Sequence, residues 1–458
     1  MRLIILILIL VAGLLLRLDN AWQGSERNLP DSAAYERIAR GLHEHGEFAQ
    51  HGPGTPAHPQ PATNYSPGLP LLTAGLYELT GREDVRDARI LLALISALSI
   101  PLAWRIAARL APEGLGSWAQ VTAAAVAAFY PTVISDTGML LTEPLAGTLL
   151  AGAVLTILRA QGSARIRDWA PPGILLGLTA LVRPEYLPIS LLVGAAVLLT
   201  GAGRAAGAEG AAGIAARARA GAAPAATMVA AAAVVLAPWL AFAFGEAGRP
   251  VPVSTGGGQT LFTGSVLASG GDPQRVMPQL LAEHPRVAAR IERQNRASGE
   301  GPDSITPERV FALLADREHP GDPVDVALTR MGRENYLDAL RTEPLGLAGF
   351  LAAKSARVWW RGRSDLTGTI PGQASHWAIT GLALAGLVLL ALRRRDEFWV
   401  IIALTAGATA IGAILVASPR RSLVLWPLIA ALAGLGATGV IELARAGLAR
   451  RTRPLPVA

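Results

Sequence analysis

Four charged side chains stand at the edges of long apolar runs, where an ionisable group is costly and often functional: Glu143, Arg183, Arg420 and Arg421; a fifth, Asp31, opens a short helical segment in the polar stretch after the first run. Two are carboxylates that could take a proton from a hydroxyl. Three are guanidiniums, whose forked donors suit an anionic phosphate. Asp31 opens the segment from Pro30 to Leu42, in which Ala34, Ile38 and Leu42 recur on one helical face, with Asp31 or Ser32 able to cap the start and Gly46 to stop it. An N-cap role alone would also account for Asp31. Glu143 could be no more than a favourable acid in a first helical turn, and Arg183 a snorkelling arginine paired with Glu185.

The elements that must carry these residues are membrane spans. Of 458 residues, 51% are hydrophobic and 16% charged, against roughly a quarter charged in soluble domains. That excludes an ordinary soluble enzyme, a disordered chain and a nucleic-acid binder. Apolar blocks nearly free of charge run over Leu3–Leu16, Ile90–Ala103, Leu145–Leu158, Ile174–Val182, Tyr186–Leu199, Ala225–Phe244, Ala378–Leu392, Phe398–Val416 and Leu423–Ile441. With the Ala-rich stretch 118–134 they give about ten transmembrane helices and an all-α polytopic fold. The first block imitates a signal peptide. Its exit, Arg17-Leu18-Asp19-Asn20, has no small-residue cleavage site, so it reads as an uncleaved span.

The net charge of +7 is a topology signal. With the N-terminus in the cytoplasm, arginines cluster in almost every segment placed inside, as expected of short loops. Both termini are then cytoplasmic, and the long polar segments 19–88 and 245–375 lie outside. Arg420 and Arg421 break the charge rule, since two arginines on the outer face are best explained by an anionic lipid phosphate. The chain divides into residues 1–244 (spans one to seven), an external segment 245–375 with a small helical insert and a juxtamembrane helix, and 376–458 (the last spans and a basic tail). Helical patterns near 278–295, 307–314 and 326–340 make up the insert, whose position suggests that it covers the site or selects the acceptor. Trp359-Trp360 anchors the interfacial helix 346–360.

A series of short motifs now becomes meaningful. Asp31, Tyr35, Ala39 and Leu42 follow a first span ending in an arginine; then come Ser66-Pro67-Gly68-Leu69-Pro70 before Gly81, and Leu141-Thr142-Glu143-Pro144. Next are Gly177 to Pro184, Val253 to Gly258, Asn335-Tyr336 through Pro344 to Lys354, and Pro419 to Pro427. The ordered series resembles the GT-C membrane glycosyltransferases. More narrowly it is similar to glycosyltransferase family 39, related to protein O-mannosyltransferases and the lipid A aminoarabinose transferase. The resemblance implies transfer of a hexose or pentose, with inversion, from a polyprenyl-phosphate carrier to a hydroxyl of an envelope glycan, lipid or protein, at the extracytoplasmic face of a bacterial-type cell membrane. It implies that Asp31 is the catalytic base with Glu143 assisting, that Arg183, Arg421 and Arg420 hold the donor phosphate, and that Tyr35 contacts substrate. A divalent metal, magnesium or manganese, stays open as a cofactor held by Asp31 and Glu143. The departure is Asn64-Tyr65-Ser66-Pro67, where the best-known branches carry His-Pro-Pro or Glu-Lys-Pro.

Other readings are weaker. His43, His45, His51 and His58 with Glu44 and Glu47 could make a metal site, but their Gly/Pro-rich setting reads as a solvated loop. Gly256-Gly257-Gly258 lacks the Lys-Ser/Thr of a nucleotide cradle. A transporter or flippase of lipid-linked sugars would show inverted repeats and charges in mid-span, and neither is evident. With no cysteine in the chain, no disulfide framework holds the external loops.

Overall fold

The structure is a computed structural model describing residues 2–25, 29–52, 59–112, 115–201, 210–298, 307–360, 365–393 and 396–451. Among them there is no strand; the one β-type pairing is an isolated bridge between Ala49 and Pro61. The helices are α1 (Arg2–Gln23), α2 (Pro30–His45), α3 (Gly68–Thr80), α4 (Val85–Ala97), α5 (Ser99–Leu110), α6 (Gly116–Phe129), α7 (Pro131–Ser135) and α8 (Thr142–Gln161). They continue with α9 (Ala170–Val182), α10 (Tyr186–Thr200), α11 (Gly210–Ala247), α12 (Gly257–Ser265), α13 (Pro273–Glu283), α14 (Pro285–Ser298), α15 (Pro307–Glu318) and α16 (Val324–Thr342). The chain closes with α17 (Pro344–Trp359), α18 (Asp365–Gly368), α19 (Ile370–Leu392), α20 (Asp396–Ile414), α21 (Arg420–Leu423) and α22 (Trp426–Arg451).

A helix falls on each of the ten expected spans. Among the described residues six are long and apolar enough to cross a membrane: Arg2–Gln23, Val85–Leu110, Thr142–Gln161, Gly213–Ala247, Ile370–Leu392 and Asp396–Ile414. The protein is a multi-pass membrane protein. The helices α6, α9 and α10 and the apolar part of α22, Trp426–Glu442, are shorter than a full span. Their faces pack into the bundle: Ala119 and Ala123 of α6, Leu176 of α9, Ile189 and Val193 of α10 and Trp426 of α22 are buried.

Small residues let these helices approach closely. Between α19 and α22, a Cβ on Gly436 would lie 1.9 Å from the Leu382 carbonyl oxygen, and one on Gly386 2.1 Å from that of Leu432. No larger residue fits either point. The span expected at 118–134 is broken, because Pro131 has no N–H to continue the ladder and α6 stops at Phe129. Its orphaned carbonyls are taken by a side chain from another helix. Arg17, fully buried on α1, donates from Nη1 to Ala128 O (2.8 Å) and Gly13 O (2.9 Å), from Nη2 to Ala127 O (2.7 Å), and from Nε to Ser96 Oγ (3.1 Å). Four accepted donors are what allow a charge so deep.

At one end of the bundle, α2, α3, the 245–345 segment and α21 come together. Thr255 N donates to Thr63 O at 2.9 Å, joining the stretch after α11 to the loop before α3. The insert has a small core of its own, with Phe262, Val276, Leu280, Ile291, Val310, Phe311 and Leu314 buried.

Candidate active site

The loop between α6 and α8 is pinned from two sides. Asn20 Nδ2 donates to Ile134 O (2.9 Å) and Ser135 O (3.2 Å). Ser32 Oγ accepts from Leu140 N at 3.0 Å. This corrects the expected cap: neither Asp31 nor Ser32 caps α2, whose N-cap is Leu29 with Pro30 in the first turn. Ser32 instead holds the loop that delivers Glu143, and Asp31 is free of capping duty. Gly46 does end α2, in the left-handed conformation (φ 68°). A third fastening brings in α9: Ser66 Oγ donates to Val182 O at 2.6 Å, fixing the backbone next to Arg183.

Six charges meet where these elements end. Arg420 on α21 bonds both carboxylates of the sequence reading: Nη1 lies 2.6 Å from Asp31 Oδ2, while Nε and Nη2 both donate to Glu143, Nη2 at 3.3 Å from Oε2. Arg183 Nη1 is 3.3 Å from Glu143 Oε1 and 3.2 Å from Thr142 Oγ1. Arg183 also grips Glu185 Oε1 with Nε (2.9 Å) and Nη2 (2.7 Å), and Arg421 Nη1 reaches the same oxygen at 3.2 Å. Arg421 Nε donates to Val416 O at 3.0 Å. The Asp31 side chain is 42% exposed and that of Glu143 only 2%. Asp31 is therefore the carboxylate an incoming group can touch, with Glu143 lying behind Arg420.

Burial and neighbouring charges set the electrostatics together. Burial pushes Glu185 up, but Arg183 and Arg421 outweigh it and hold the carboxyl down to about 2. Burial pulls Arg183 down, and the carboxylates of Glu185 and Glu143 overcome it, raising it above its ordinary value. For Arg421 burial wins over Glu185, and its guanidinium is pulled below the ordinary value. Arg421 is thus the cation whose carboxylate partner compensates it least. Burial, with the Asp31 charge adding to it, raises the Tyr35 phenol far above its usual range.

Asp31, Tyr35, Arg183, Glu185, Arg420 and Arg421 line one cavity of about 450 Å³. Thr142, Gln259, Thr260 and Thr263 add hydroxyl and amide groups to the wall, and Met277 and Phe311 of the insert supply apolar contact. The cavity draws on residues before 244, between 245 and 375, and after 376. Sequence reasoning brought Asp31, Tyr35, Arg183, Arg420 and Arg421 to this cavity, and Glu143 to its back wall. It passed over Glu185 as a mere partner of Arg183, and it gave Gln259 and Thr260 no role. Their signal was the turn Gly256-Gly257-Gly258, which starts α12 facing the site. Asp136, buried at 1% exposure, was missed too; with Glu143 it lines a small cavity of about 20 Å³ beneath the site.

The histidines of the first loop do not join the site. His43 pairs with Glu78 (3.0 Å), His51 with Glu47 (3.1 Å) and His45 with Glu44 (3.4 Å), while His58 lies outside the described residues. Among the described residues no three His, Asp or Glu groups converge as a metal-binding set. The one place two site carboxylates face each other, between Asp31 and Glu143, is filled by the Arg420 guanidinium. These residues, so arranged, do not fit a divalent cation.

Residues 58–210, which include Glu143, Arg183 and Glu185, match the family model described as dolichyl-phosphate-mannose-protein mannosyltransferase. Among solved structures, the chain is similar to the archaeal oligosaccharyltransferase AglB from Archaeoglobus fulgidus in complex with an inhibitory peptide and a dolichol-phosphate, with a TM-score of 0.56 and 14% identity over 100% of this chain and 52% of that one. It is also similar to the apo form of the Archaeoglobus fulgidus oligosaccharyltransferase (TM-score 0.55, 16% identity, 100% and 53% coverage). The complex of that enzyme with Zn and sulfate gives a TM-score of 0.53 at 15% identity, over 96% and 49% of the two chains. This chain thus spans about half the length of the oligosaccharyltransferases it matches. No curated protein matches it. At these identities the likeness establishes the fold, and that fold is GT-C, as the ordered motifs implied.

Proposed function

We propose that this GT-C chain is a membrane glycosyltransferase that takes a hexose or pentose from a polyprenyl-phosphate carrier and transfers it, with inversion, to a hydroxyl of an envelope glycan, lipid or protein at the extracytoplasmic face of the cell membrane. The observation that carries this reading is the convergence on one cavity of an exposed carboxylate, Asp31, with the buried guanidiniums of Arg183 and Arg421. The solved relative that holds a dolichol-phosphate supports a lipid-phosphate donor. So does an apolar groove of about 440 Å³ whose lining includes Leu187, two residues beyond Glu185, with Leu176, Leu191, Met228, Leu236 and Leu240. A groove of that character suits a polyprenyl chain whose phosphate sits at the arginines.

In the proposed reaction Asp31 accepts the acceptor's proton as the hydroxyl attacks the anomeric carbon. The bond from that carbon to the phosphate oxygen breaks, and its electron pair stays on the phosphate. Arg421 and Arg183 stabilise the charge that develops there, in a setting where fixed donors outperform water. Glu143 acts through Arg420, which it holds against Asp31, so that the base keeps one orientation. Tyr35, beside Asp31 on α2, contacts the substrate. A divalent metal has no step in this scheme, because the Arg420 guanidinium supplies the positive charge between the two carboxylates.

The test is to supply the purified protein in liposomes with radiolabelled polyprenyl-phosphate sugars and hydroxyl acceptors. Glycosylated acceptor of inverted anomeric configuration, with release of polyprenyl phosphate, is expected. Movement of intact lipid-linked sugar across the bilayer without transfer would contradict the reading and favour a flippase.

A further inference from the structure

Glu185 has no part in that chemistry, yet its Oε1 alone accepts three hydrogen bonds from the two arginines assigned to the phosphate. Counted by charge, the cluster is balanced: Asp31, Glu143 and Glu185 against Arg183, Arg420 and Arg421. Without Glu185, two guanidiniums whose side chains are 12% and 11% exposed would share the phosphate end of the cavity with no carboxylate between them. Such a pair would grip any anion strongly, and the more so the higher its charge. The two lipids that must occupy that place differ in charge. A sugar-linked donor is a phosphodiester with one negative charge; the released polyprenyl phosphate, having kept the electron pair of the broken bond, is a monoester whose second ionisation lies near pH 6, so at neutral pH it carries nearly two.

We propose that Glu185 is a positioning residue that tempers the arginine pair, setting its positive charge so that the monoanionic donor binds while the more highly charged lipid product can leave. The carboxylate does this from a place set by the backbone and by its bonds: it is the N-cap residue of α10, two residues from Arg183 across Pro184, and is held by both arginines. Donor and product therefore compete with the same carboxylate for the same N–H groups. Its removal shifts the balance toward the ligand with the greater charge.

The inference rests on the proposed function, and the experiment keeps the two apart. With the full-length protein in liposomes, the donor KM and the inhibition constant of added polyprenyl monophosphate are measured for wild type, Glu185→Gln, and the double variant Glu185→Gln with Arg421→Gln, which restores the wild-type net charge. For Glu185→Gln the inhibition constant should fall by about tenfold or more, on the scale expected when a close charge goes unscreened. The donor KM should fall less, and kcat should drop as product release slows. In the double variant the inhibition constant should return to or exceed the wild-type value. An unchanged or raised inhibition constant in Glu185→Gln, or a double variant that binds product as tightly as the single one, overturns the tempering role. If Glu185→Gln does not fold, thermal shift by polyprenyl monophosphate against neutral polyprenol decides the matter in Glu185→Asp, which keeps the charge and should retain wild-type selectivity; a strengthened monophosphate preference there overturns it. Absence of any transfer by wild type overturns the glycosyltransferase reading instead.

Discussion

Arg420 is the residue on which the site turns, and it shows how charge type can be legible where charge role is not. A buried carboxylate tolerates its setting only while its cation stays. Glu143 is 2% exposed at its side chain, and two of the three donors Arg420 commits to the cluster are directed at it. Arg420→Gln, which leaves Glu143 with Arg183 as its cation, should therefore cost stability, at most the roughly 3–5 kcal/mol of a buried charge left unpaired, read as a lower thermal midpoint in detergent, and should also release Asp31 from its partner. Arg421→Gln, by contrast, should weaken the response to polyprenyl phosphate with a smaller loss of stability. The sequence pointed to Glu143, Arg183, Arg420 and Arg421 because a charge at the edge of an apolar run, or an arginine on the outer face, needs a reason, and to Asp31 because it opens the external helix and fits the motif series. It could not say that Arg420 reaches two carboxylates at once, since that depends on distances between α2, α8 and α21. Glu185 was hidden for the same cause: a carboxylate two residues from an arginine looks like a simple local pair until Arg421, 236 positions away, is seen on the same oxygen.

At the level of helices, composition put a helix at each of the ten expected positions, six of them long and apolar enough to cross a membrane among the described residues, and their ends were where local chemistry decided otherwise. Leu29 rather than Asp31 caps α2 because Pro30 occupies the first turn and Ser32 is drawn to Leu140. The span through 118–134 breaks at Pro131, and Arg17 repairs the exposed carbonyls from a neighbouring helix. No periodicity in either segment reports that fastening. The contact of α19 with α22 depends on glycine: Gly436→Val would place a side chain where the Leu382 carbonyl oxygen stands, and should cost about 1–3 kcal/mol or more, visible as early melting of the purified protein. Lys354 offers a pH test on α17, outside the spans. It donates to Gly264 O (2.5 Å) and the Tyr336 hydroxyl (3.1 Å), tying α17 to α12 and α16. Burial, reinforced by the charges of Arg357 and Arg421, lowers it from 10.5 to about 7. The unfolded chain then holds this proton up to about pH 10.5 while the folded chain releases it near 7, so stability should rise with pH between those values. The thermal midpoint of wild type should increase from pH 7 to pH 9.5, and the part due to this group should vanish in Lys354→Met.

At the scale of the whole molecule, the cavity is assembled from parts of the chain that no single motif joins. Asp31 comes from α2, Arg183 from the end of α9, Arg421 from α21, and the apolar cover from Met277 and Phe311 of the insert. The arginine pattern predicted which side of the membrane this assembly faces, and the absence of native cysteine makes that testable with no background. In cells, Glu292→Cys on the insert should react with a membrane-impermeant maleimide, while Arg165→Cys, in the loop after α8, should react only after the membrane is opened. The reverse pattern would place the site on the cytoplasmic side. The central claim, that Asp31 removes the acceptor's proton, is met most directly by comparing wild type and Asp31→Asn in liposomes supplied with the radiolabelled donor. Wild type should transfer sugar, and Asp31→Asn should bind polyprenyl phosphate normally but transfer about 100-fold or more slowly, the range set by loss of a general base. Transfer by Asp31→Asn at the wild-type rate would contradict it.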